Sequence, residues 1–193
     1  MKTLLLMRHA KSSWKHAEMP DHERPLNKRG NKDAPLMGSL IKDKELVPQR
    51  ILCSTALRAT ETARLLQENN GFTSETVFLD SYYMAEPNAY LEALQTLPDE
   101  IERVMVIGHN PGLEGLLQIL SGQIVPLSTA AVAHLVLPID HWNELNLDSE
   151  ADLVETFSSH DLKEKEKKGK EKEKEKEKEK EKEKGKEKSK KKK

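Results

Sequence analysis

Residues 1–14 read MKTLLLMRHAKSSW, and their most informative feature is an apolar run that stops at Arg8 and His9. A continuous apolar run of this length is typical of a β-strand that is buried on both faces of a parallel sheet. The charged pair could simply mark the point where the strand enters solvent. A guanidinium and an imidazole at the end of a rigid strand could equally bind or attack an anion. The choice between these two interpretations depends on which residues the other segments bring to the same place.

The segments that follow alternate between strand-like and helical patterns. Predicted strands cover residues 2–7, 50–53, 75–79, 103–107 and 130–137. Predicted helices cover residues 31–46, 55–70, 87–97 and 113–120, and weaker strand-like or helical segments lie within 142–158. Ser54 or Thr55 is placed to cap the second helix. The alternation predicts an α/β fold, a three-layer α/β/α sandwich with a mostly parallel central sheet.

Composition divides the chain into two parts. The chain has 193 residues and a net charge of −1, yet residues 163–193 alone contain 18 Lys, 10 Glu and no apolar residue. Residues 1–162 therefore carry a net charge of −9 and the terminal segment one of +8. We predict one domain over 1–162 and a disordered Lys/Glu tail over 163–193. The tail could bind nucleic acid or an anionic membrane, but its interleaved glutamates favour a solvated tether.

No targeting segment or membrane span is visible in the sequence. The apolar start is about six residues long, which is too short for the apolar region of a signal peptide or for a bilayer span. We therefore predict a cytoplasmic protein without a membrane partner, and we do not expect nucleic acid as a partner.

Cys53 is the only cysteine, so no disulfide can form within the chain, which fits a reducing compartment. Its spacing to Arg58 is Cys-x4-Arg, one residue short of the phosphate-binding loop of the cysteine phosphatases. We therefore predict that Cys53 is a small buried residue and not a nucleophile.

Basic side chains follow several of the predicted strands. Arg8 and His9 end the first strand, and His109 follows the strand 103–107. Arg58 lies one turn into the helix after the second strand. In open α/β sheets the ligand crevice lies beyond the carboxyl ends of the strands. We therefore expect these four side chains to meet at one edge of the sheet.

Two arginines at one crevice indicate an anion site, because guanidinium groups match the oxygens of a phosphate. The free N–H groups at the start of the second helix would strengthen it. The two histidines could bind a metal, be structural, or act as a nucleophile and its partner. We do not expect a metal, because the arginines repel cations and no carboxylate lies at ligand spacing. A histidine in an anion site can attack phosphorus and so split one difficult step into two.

Four spaced segments resemble a known family. They are MRHAKSSW (7–14), DHERPLNKRG (21–30), CSTALRATETA (53–63) and VIGHNPGLE (106–114). In their order they resemble the histidine phosphatase superfamily, and in closer detail the SixA-like phosphohistidine phosphatases. The resemblance extends over about residues 1–160, nearly the whole of the predicted domain.

This resemblance implies a role for each of the four basic residues. His9 would be the nucleophile that becomes phosphorylated, and Arg8 and Arg58 would bind the phosphoryl group. His109 would hydrogen-bond that group and stabilise the transition state. The resemblance implies no metal and no organic cofactor. It also implies a phosphorylated substrate, which could be a phosphohistidine-bearing protein.

One part of the pattern departs from the wider family, in which a carboxylic acid after the third strand protonates an alkoxide leaving group. The corresponding region here is FLDSYYMAEPNAYLEAL (78–94), where Glu86 is the nearest candidate and Asp80 the next. Either could be a solvated surface residue. A phosphorylated imidazole leaves without a strong acid, because its ring titrates near pH 6.5 and can carry its own proton. The missing acid therefore favours an N–P substrate.

The sequence thus predicts a metal-independent phosphatase that acts through a phosphohistidine intermediate, on phosphohistidine in a protein or on a small phosphoramidate. One alternative is a phosphomonoesterase or mutase for a small phosphorylated metabolite, and the missing acid argues against it. Another is a non-catalytic module that binds a phosphorylated ligand, and the complete set of four basic residues argues against that.

Further residues in the same segments have two interpretations. Lys11, Ser12 and Arg24 lie in the loop after the first strand, where they either line the mouth of the pocket or are solvated. Trp14 and Trp142 are predicted to be packing residues.

Overall fold

The apolar run of the N-terminus forms the central part of the sheet. The structure, a computed structural model, describes residues 1–15 and 18–161. The first strand, β1 (Lys2–Arg8), has a parallel neighbour on one side and an antiparallel neighbour on the other. The side chains of its apolar run, from Leu4 to Met7, are fully buried. A strand enclosed by neighbours and by both layers needs this continuous apolar pattern.

Within the described residues, the other strands are β2 (Arg50–Ser54), β3 (Glu75–Leu79), β4 (Arg103–Gly108), β5 (Val132–Leu137) and β6 (Asp152–Phe157). The α-helices are α1 (Gly30–Asp43), α2 (Leu57–Glu68), α3 (Pro87–Gln95) and α4 (Gly112–Ser121). Short 3₁₀ helices lie at Asp21–Glu23, Asp80–Tyr82 and Trp142–Glu144. The weaker segments predicted within 142–158 are thus one short helix and the strand β6.

The strands form one six-stranded sheet in the order β3-β2-β4-β1-β5-β6. The first four strands in this order run parallel to one another. Strand β5 pairs antiparallel with β1, and β6 pairs antiparallel with β5. This confirms the predicted α/β fold with a mostly parallel central sheet.

Helices cover both faces of the sheet, because successive side chains of a strand point to opposite sides. Leu4 and Leu6 of β1 belong to a core that includes apolar residues of α3 and α4. Leu5 and Met7 belong to a second core, with apolar residues of α1 and α2. Trp142 is fully buried in the first core, as predicted. These two cores confirm the predicted three layers.

Helix α2 begins without the side-chain cap that the sequence predicts. Its N-cap residue is Ala56, and no side chain caps the helix. The hydroxyl of Ser54 is hydrogen-bonded to the ring of His109 and accepts a bond from the N–H of Ala56. The hydroxyl of Thr55 is hydrogen-bonded to His22. The predicted cap is wrong because both hydroxyl groups are used in tertiary contacts.

The elements described above belong to a unit that spans Met1–Ser158, and Ser159–Lys193 form a second unit. The predicted tail, residues 163–193, lies outside the described residues, so the tail and the domain boundary stay predictions. None of the helices in residues 1–15 and 18–161 has the length and apolar character needed to cross a membrane.

Candidate active site

The exits of β1 and β4 lie side by side because these two strands are hydrogen-bonded neighbours. Their register pairs Arg8 with Gly108, so His9 and His109 leave the sheet at matching positions. The two imidazole centroids are 5.0 Å apart. Arg58, the second residue of α2, donates a hydrogen bond from Nε to Nε2 of His9 at 3.3 Å. The structure therefore brings all four predicted site residues to one edge of the sheet.

The four residues line one cavity of about 460 Å³. Three further residues line this cavity, namely Lys11, Ser12 and Arg24. This favours the interpretation that they line the pocket over the interpretation that they are only solvated loop residues. A cavity of this volume lies within the range of small-molecule binding sites.

The hydrogen bonds of His9 fix which ring nitrogen is free to react. Nδ1 lies 2.8 Å from the carbonyl oxygen of Ala10. Because a carbonyl oxygen only accepts hydrogen bonds, Nδ1 carries the ring proton and Nε2 presents its lone pair to Arg58. Burial lowers the pKa of His9 to about 4, and the charges of Arg58 and Arg8 act in the same direction. The hydrogen bond to Ala10 acts in the opposite direction. The ring is therefore neutral at neutral pH, with Nε2 available as a nucleophile.

His109 has the opposite tautomer. Its Nδ1 lies 3.4 Å from Nη2 of Arg58, which can only donate, so Nδ1 is unprotonated. The proton on Nε2 is donated to the hydroxyl oxygen of Ser54 at 2.8 Å. Burial, together with the charges of His9 and Arg58, lowers the pKa of His109 to about 3. Both rings thus turn an unprotonated nitrogen towards the same guanidinium.

Arg58 is buried at the centre of this network. Besides contacting the two histidines, its Nη1 donates to the backbone carbonyl of Asp21 at 2.6 Å and its Nη2 to the Asp21 carboxylate at 3.0 Å. These bonds hold the guanidinium in place before a ligand binds. A phosphoryl group beside His9 would accept hydrogen bonds from Arg58 in place of the histidine lone pairs. The site is in this sense preorganised for an oxyanion.

Arg8 is anchored by the loop that precedes β5. Its Nη1 donates to the carbonyl oxygen of Leu127 at 2.9 Å. The same oxygen accepts a hydrogen bond from the side-chain amide of Asn110 at 3.0 Å. This shared acceptor links the exit of β1 to the turn after β4 and fixes Arg8 relative to His109.

Asp21 places a carboxylate in this cationic cavity, and sequence reasoning missed it. Its oxygens accept hydrogen bonds from Arg24, Arg58 and the hydroxyl of Tyr83. Although partial burial acts to raise it, the bonds from Arg24 and Tyr83 and the charges of the two arginines hold the pKa of Asp21 below its ordinary value. Asp21 is therefore ionised at neutral pH. The signal that could have found it is its acidic character at the start of the segment 21–30, beside a predicted anion site.

Arg24 joins the long loop to the cavity. Its side chain is buried and donates to the hydroxyl of Ser12 at 2.6 Å, to the carbonyl of Ser13 at 3.0 Å and to Asp21. The indole of Trp14 covers its guanidinium carbon, which lies 3.3 Å from the ring centroid. Trp14 itself is 72% exposed, so its packing contact with Arg24 lies at the surface. The ring rests on a buried arginine at the surface instead of entering a core.

The two candidate general acids are not among the residues that line the cavity. Glu86 is the N-cap residue of α3, and Asp80 begins the 3₁₀ helix after β3. Both are exposed, and neither belongs to the residues that line the cavity around His9. This placement favours the interpretation that both are solvated surface residues.

Cys53 is fully buried in β2, in the core beside α1 and α2. Burial raises the pKa of its thiol, which keeps the thiol protonated and unreactive. The prediction of a small buried residue is confirmed.

Comparison with known proteins gives the family of this chain. The family model for the histidine phosphatase superfamily (branch 1) matches residues 4–80. An uncharacterized chloroplastic protein of Arabidopsis thaliana is 36% identical over 153 residues, which are 74% of this chain and 70% of that protein. The chain belongs to the histidine phosphatase superfamily. The matched residues of the superfamily model include Arg8, His9 and Arg58 but not His109, whose place in the site rests on the geometry.

Two solved structures of SixA share the fold of this histidine phosphatase superfamily member. The SixA protein of Agrobacterium tumefaciens has a TM-score of 0.68 at 27% identity and covers 81% of this chain and 97% of its own. The protein histidine phosphatase SixA complexed with tungstate has a TM-score of 0.71 at 24% identity, over 83% of this chain and 99% of its own. The shared fold thus extends over nearly the full length of both SixA chains.

Proposed function

We propose that this histidine phosphatase superfamily member hydrolyses the N–P bond of phosphohistidine, in a protein or in a small phosphoramidate, through a phosphohistidine intermediate on His9. The observation that carries the proposal is the state of the His9 ring. Its Nδ1 proton is held by the carbonyl of Ala10, and its free Nε2 faces the buried Arg58. A neutral imidazole in this tautomer can attack a phosphoryl group bound to the guanidinium.

In the first step, Nε2 of His9 attacks phosphorus, and a new N–P bond forms as the N–P bond of the substrate breaks. The His9 ring keeps its Nδ1 proton and becomes cationic, so its hydrogen bond to Ala10 becomes charge-assisted. Arg8 and Arg58 stabilise the negative charge on the phosphoryl oxygens. The leaving imidazole departs neutral when its other nitrogen is protonated, which its ordinary pKa near 6.5 allows.

In the second step, water attacks the phosphorus of phosphorylated His9, and the N–P bond to His9 breaks. The cationic ring leaves as a neutral imidazole and retains its Nδ1 proton, so this departure needs no external acid. The attacking water gives up one proton to the solvent, and inorganic phosphate is released. His9 is then again in the tautomer in which the cycle began.

His109 can donate a hydrogen bond from Nδ1 to the phosphoryl group only after this nitrogen gains a proton, because an unprotonated nitrogen and a phosphoryl oxygen are both acceptors. A phosphoryl dianion favours that protonation by its charge, against the burial that lowers the pKa of the free residue. We therefore propose that His109 is neutral in the free site and protonated when a phosphoryl group is bound. In that form it would stabilise the negative charge of the transition state.

The carboxylates near the site support an N–P substrate. Among the described residues that line the cavity, Asp21 is the one carboxylate, and its partners hold it ionised. Glu86 and Asp80 do not line the cavity. An alkoxide leaving group needs a positioned proton donor, whose contribution is about 10²–10⁴-fold, whereas an imidazole can leave without one. The alternative of a phosphomonoesterase or mutase is therefore less well supported.

We also propose that the reaction needs no metal ion. Within residues 1–15 and 18–161, no group of three or more His, Cys, Asp or Glu side chains is placed to hold a metal. The proposal itself rests on charge. Three guanidinium groups, those of Arg8, Arg24 and Arg58, line the cavity around His9 and disfavour a cation there.

A substrate panel, measured in EDTA, tests the proposed function. The panel compares a phosphohistidine peptide, phosphoramidate, an aryl phosphate and a sugar phosphate. We expect the N–P substrates to be fastest, the aryl ester intermediate because its phenolate leaves without a proton, and the sugar phosphate slowest. Faster cleavage of the sugar phosphate than of both N–P substrates would contradict the proposal. Activity that is lost in EDTA and restored by one divalent metal would contradict metal independence.

Trapping of the intermediate tests the role of His9. Rapid quenching with labelled substrate should capture a phosphoenzyme on the wild type and on the control variant His141→Ala, whose side chain is exposed. His9→Ala should give neither phosphoenzyme nor turnover, with an unchanged circular dichroism spectrum. A phosphoenzyme on His9→Ala, or turnover at the wild-type rate, would remove His9 as the nucleophile.

A further inference from the structure

Two large apolar side chains are exposed on the wall of the candidate active site. Trp14 is 72% exposed and Met84 is 74% exposed, and both line the cavity that contains His9. Contact between a large apolar side chain and water is unfavourable, so a group that covers the side chain lowers the free energy. Their position beside the predicted nucleophile makes the substrate itself a candidate for that cover.

Trp14 is held in place from one side. The guanidinium of Arg24 lies against one face of the indole, and three hydrogen-bonding partners fix that guanidinium, namely Asp21, Ser12 and the carbonyl of Ser13. Since the ring is nevertheless 72% exposed, much of its surface is left for another planar or apolar group. A ring held in this way loses little further conformational entropy when a ligand stacks on it.

Met84 is held by the backbone. Its φ of 50° lies in the left-handed region, which costs a non-glycine residue conformational energy and is found with increased frequency at functional sites. The preceding residue, Tyr83, is part of the site. The Tyr83 hydroxyl donates to Asp21 at 3.0 Å, and its ring lies edge-on to His109 at a centroid distance of 5.9 Å. Met84 is therefore tied to the site through its neighbour.

The volume of the cavity indicates a ligand larger than a phosphoryl group. At about 460 Å³ it is in the range that encloses drug-sized molecules. The phosphoryl group would occupy the part next to His9 and Arg58, which leaves the part beside Trp14 and Met84 for the leaving group. Tryptophan, methionine and arginine are also residue types that are enriched where proteins bind other proteins.

We propose that Trp14 and Met84 form a leaving-group subsite, which binds the imidazole and the adjoining chain of a phosphohistidine on a polypeptide. This inference rests on the proposed function and adds the identity of the substrate carrier. The imidazole stacks on the indole face opposite Arg24, and the flexible thioether of Met84 packs on the neighbouring apolar atoms of the peptide. A phosphoramidate without a ring would leave both side chains exposed.

The test compares two substrates across matched variants. We expect Trp14→Ala to lower kcat/KM for a phosphohistidine peptide roughly 3- to 10-fold, the value of one aromatic contact, and Met84→Ala to lower it in the same direction. On phosphoramidate, which has no ring to cover Trp14 or Met84, both variants should lose less kcat/KM than on the peptide. Trp14→Phe keeps a ring and should recover most of the loss on the peptide. Phe78→Ala removes an aromatic residue that is 52% exposed but lines a different groove, so it serves as the control.

The outcomes separate the subsite from the proposed function. A larger loss of kcat/KM on the peptide than on phosphoramidate supports both the subsite and the proposed function. An unchanged peptide rate in Trp14→Ala overturns the subsite and leaves N–P hydrolysis standing. An equal loss on phosphoramidate has the same consequence, because Trp14 would then act by packing on Arg24. A wild-type protein that hydrolyses neither N–P substrate overturns the proposed function and the subsite together.

Discussion

At the residue scale, the chemistry of the two histidines depends on which ring nitrogen carries the proton. A backbone carbonyl, that of Ala10, holds the proton on Nδ1 of His9, and the hydroxyl of Ser54 holds the proton on Nε2 of His109. Arg58 faces the unprotonated nitrogen of each ring. One ring is thereby prepared to attack phosphorus, whereas the other is prepared to take up a proton when an anion binds.

The low pKa values of these histidines predict a loss of stability in acid. His109 has a pKa of about 3 in the folded protein, whereas an unfolded chain has the ordinary value near 6.5. Between these values the unfolded state binds more protons, so the free energy of unfolding falls as the pH falls from about 6.5 towards 3. At pH 5 the titration of this residue alone lowers the free energy of unfolding by about 2 kcal/mol relative to neutral pH.

We therefore expect His109→Gln to lose about 2 kcal/mol less stability than the wild type between pH 7 and pH 5. Urea unfolding of both proteins at the two pH values measures this difference. The comparison within each protein cancels any loss of packing that the substitution causes at both pH values. Parallel curves for the two proteins would show that His109 does not titrate in the way its burial indicates.

The position of Glu86 predicts a small effect of its removal. Because this side chain is exposed and does not line the cavity, Glu86→Gln should lower kcat on phosphohistidine much less than tenfold, under about 1.4 kcal/mol. Steady-state rates on phosphohistidine and on an alkyl phosphate measure the effect. If Glu86→Gln lost a hundredfold or more on an alkyl phosphate that the wild type cleaves well, Glu86 would be the proton donor. The phosphomonoesterase function would then be better supported than hydrolysis of phosphohistidine.

At the element scale, the pairing of strands distant in sequence assembles the site. β1 and β4 are parallel neighbours, and their register sets Arg8 opposite Gly108. The backbone N–H of His9 donates to the carbonyl of Gly108 at 3.2 Å, which holds the two exits together. Helix α2 then adds Arg58 from its first turn. A shift of the β1–β4 register would separate the two histidines.

Gly112, at the start of α4, has no room for a side chain, so we expect a substitution there to lower the stability of the fold. A Cβ on Gly112 would overlap the carbonyl oxygen of Ala85, so the backbone after Met84 would have to move. We expect Gly112→Ala to lower the free energy of unfolding by about 1–3 kcal/mol, as overpacking usually does. Denaturant unfolding measures it, with Gln118→Ala on the exposed side of the same helix as the control. An unchanged stability of Gly112→Ala would show that the segment 80–86 adapts freely.

At the scale of the whole molecule, charge is distributed unevenly along the chain. Residues 1–162 carry a net charge of −9, although three arginines line the candidate site, and residues 163–193 contain 18 Lys and 10 Glu. The cationic cavity within this acidic part of the chain concentrates the attraction for an anion at one place.

The composition of the terminal segment predicts that catalysis does not depend on it. Since residues 163–193 contain no apolar residue, they have little with which to dock on a core, and we expect truncation after Asp161 to leave kcat and KM on phosphoramidate nearly unchanged. Steady-state kinetics of the truncated and full-length chains check this. A large drop in kcat on truncation would instead make the segment part of the site.

The sequence by itself determined the order and kind of the main elements, because strand and helix patterns depend on neighbours within a few residues. The run from Leu4 to Met7 specified a strand buried on both faces, and the alternation of elements specified a mostly parallel sheet. The rule that ligands bind at the carboxyl ends of such strands is enough to group Arg8, His9, Arg58 and His109 from the sequence alone.

Only the tertiary structure decided the state and surroundings of those side chains. The tautomer of His109 depends on contacts with Ser54 and Arg58, 55 and 51 residues away in sequence. The free Nε2 of His9 faces Arg58, which is 49 residues away. The ionised Asp21 and the exposed face of Trp14 likewise depend on which side chains fold against them. Such contacts leave no periodic trace in a single sequence, because hydrogen bonds and burial are fixed by the packing of distant segments and not by local pattern.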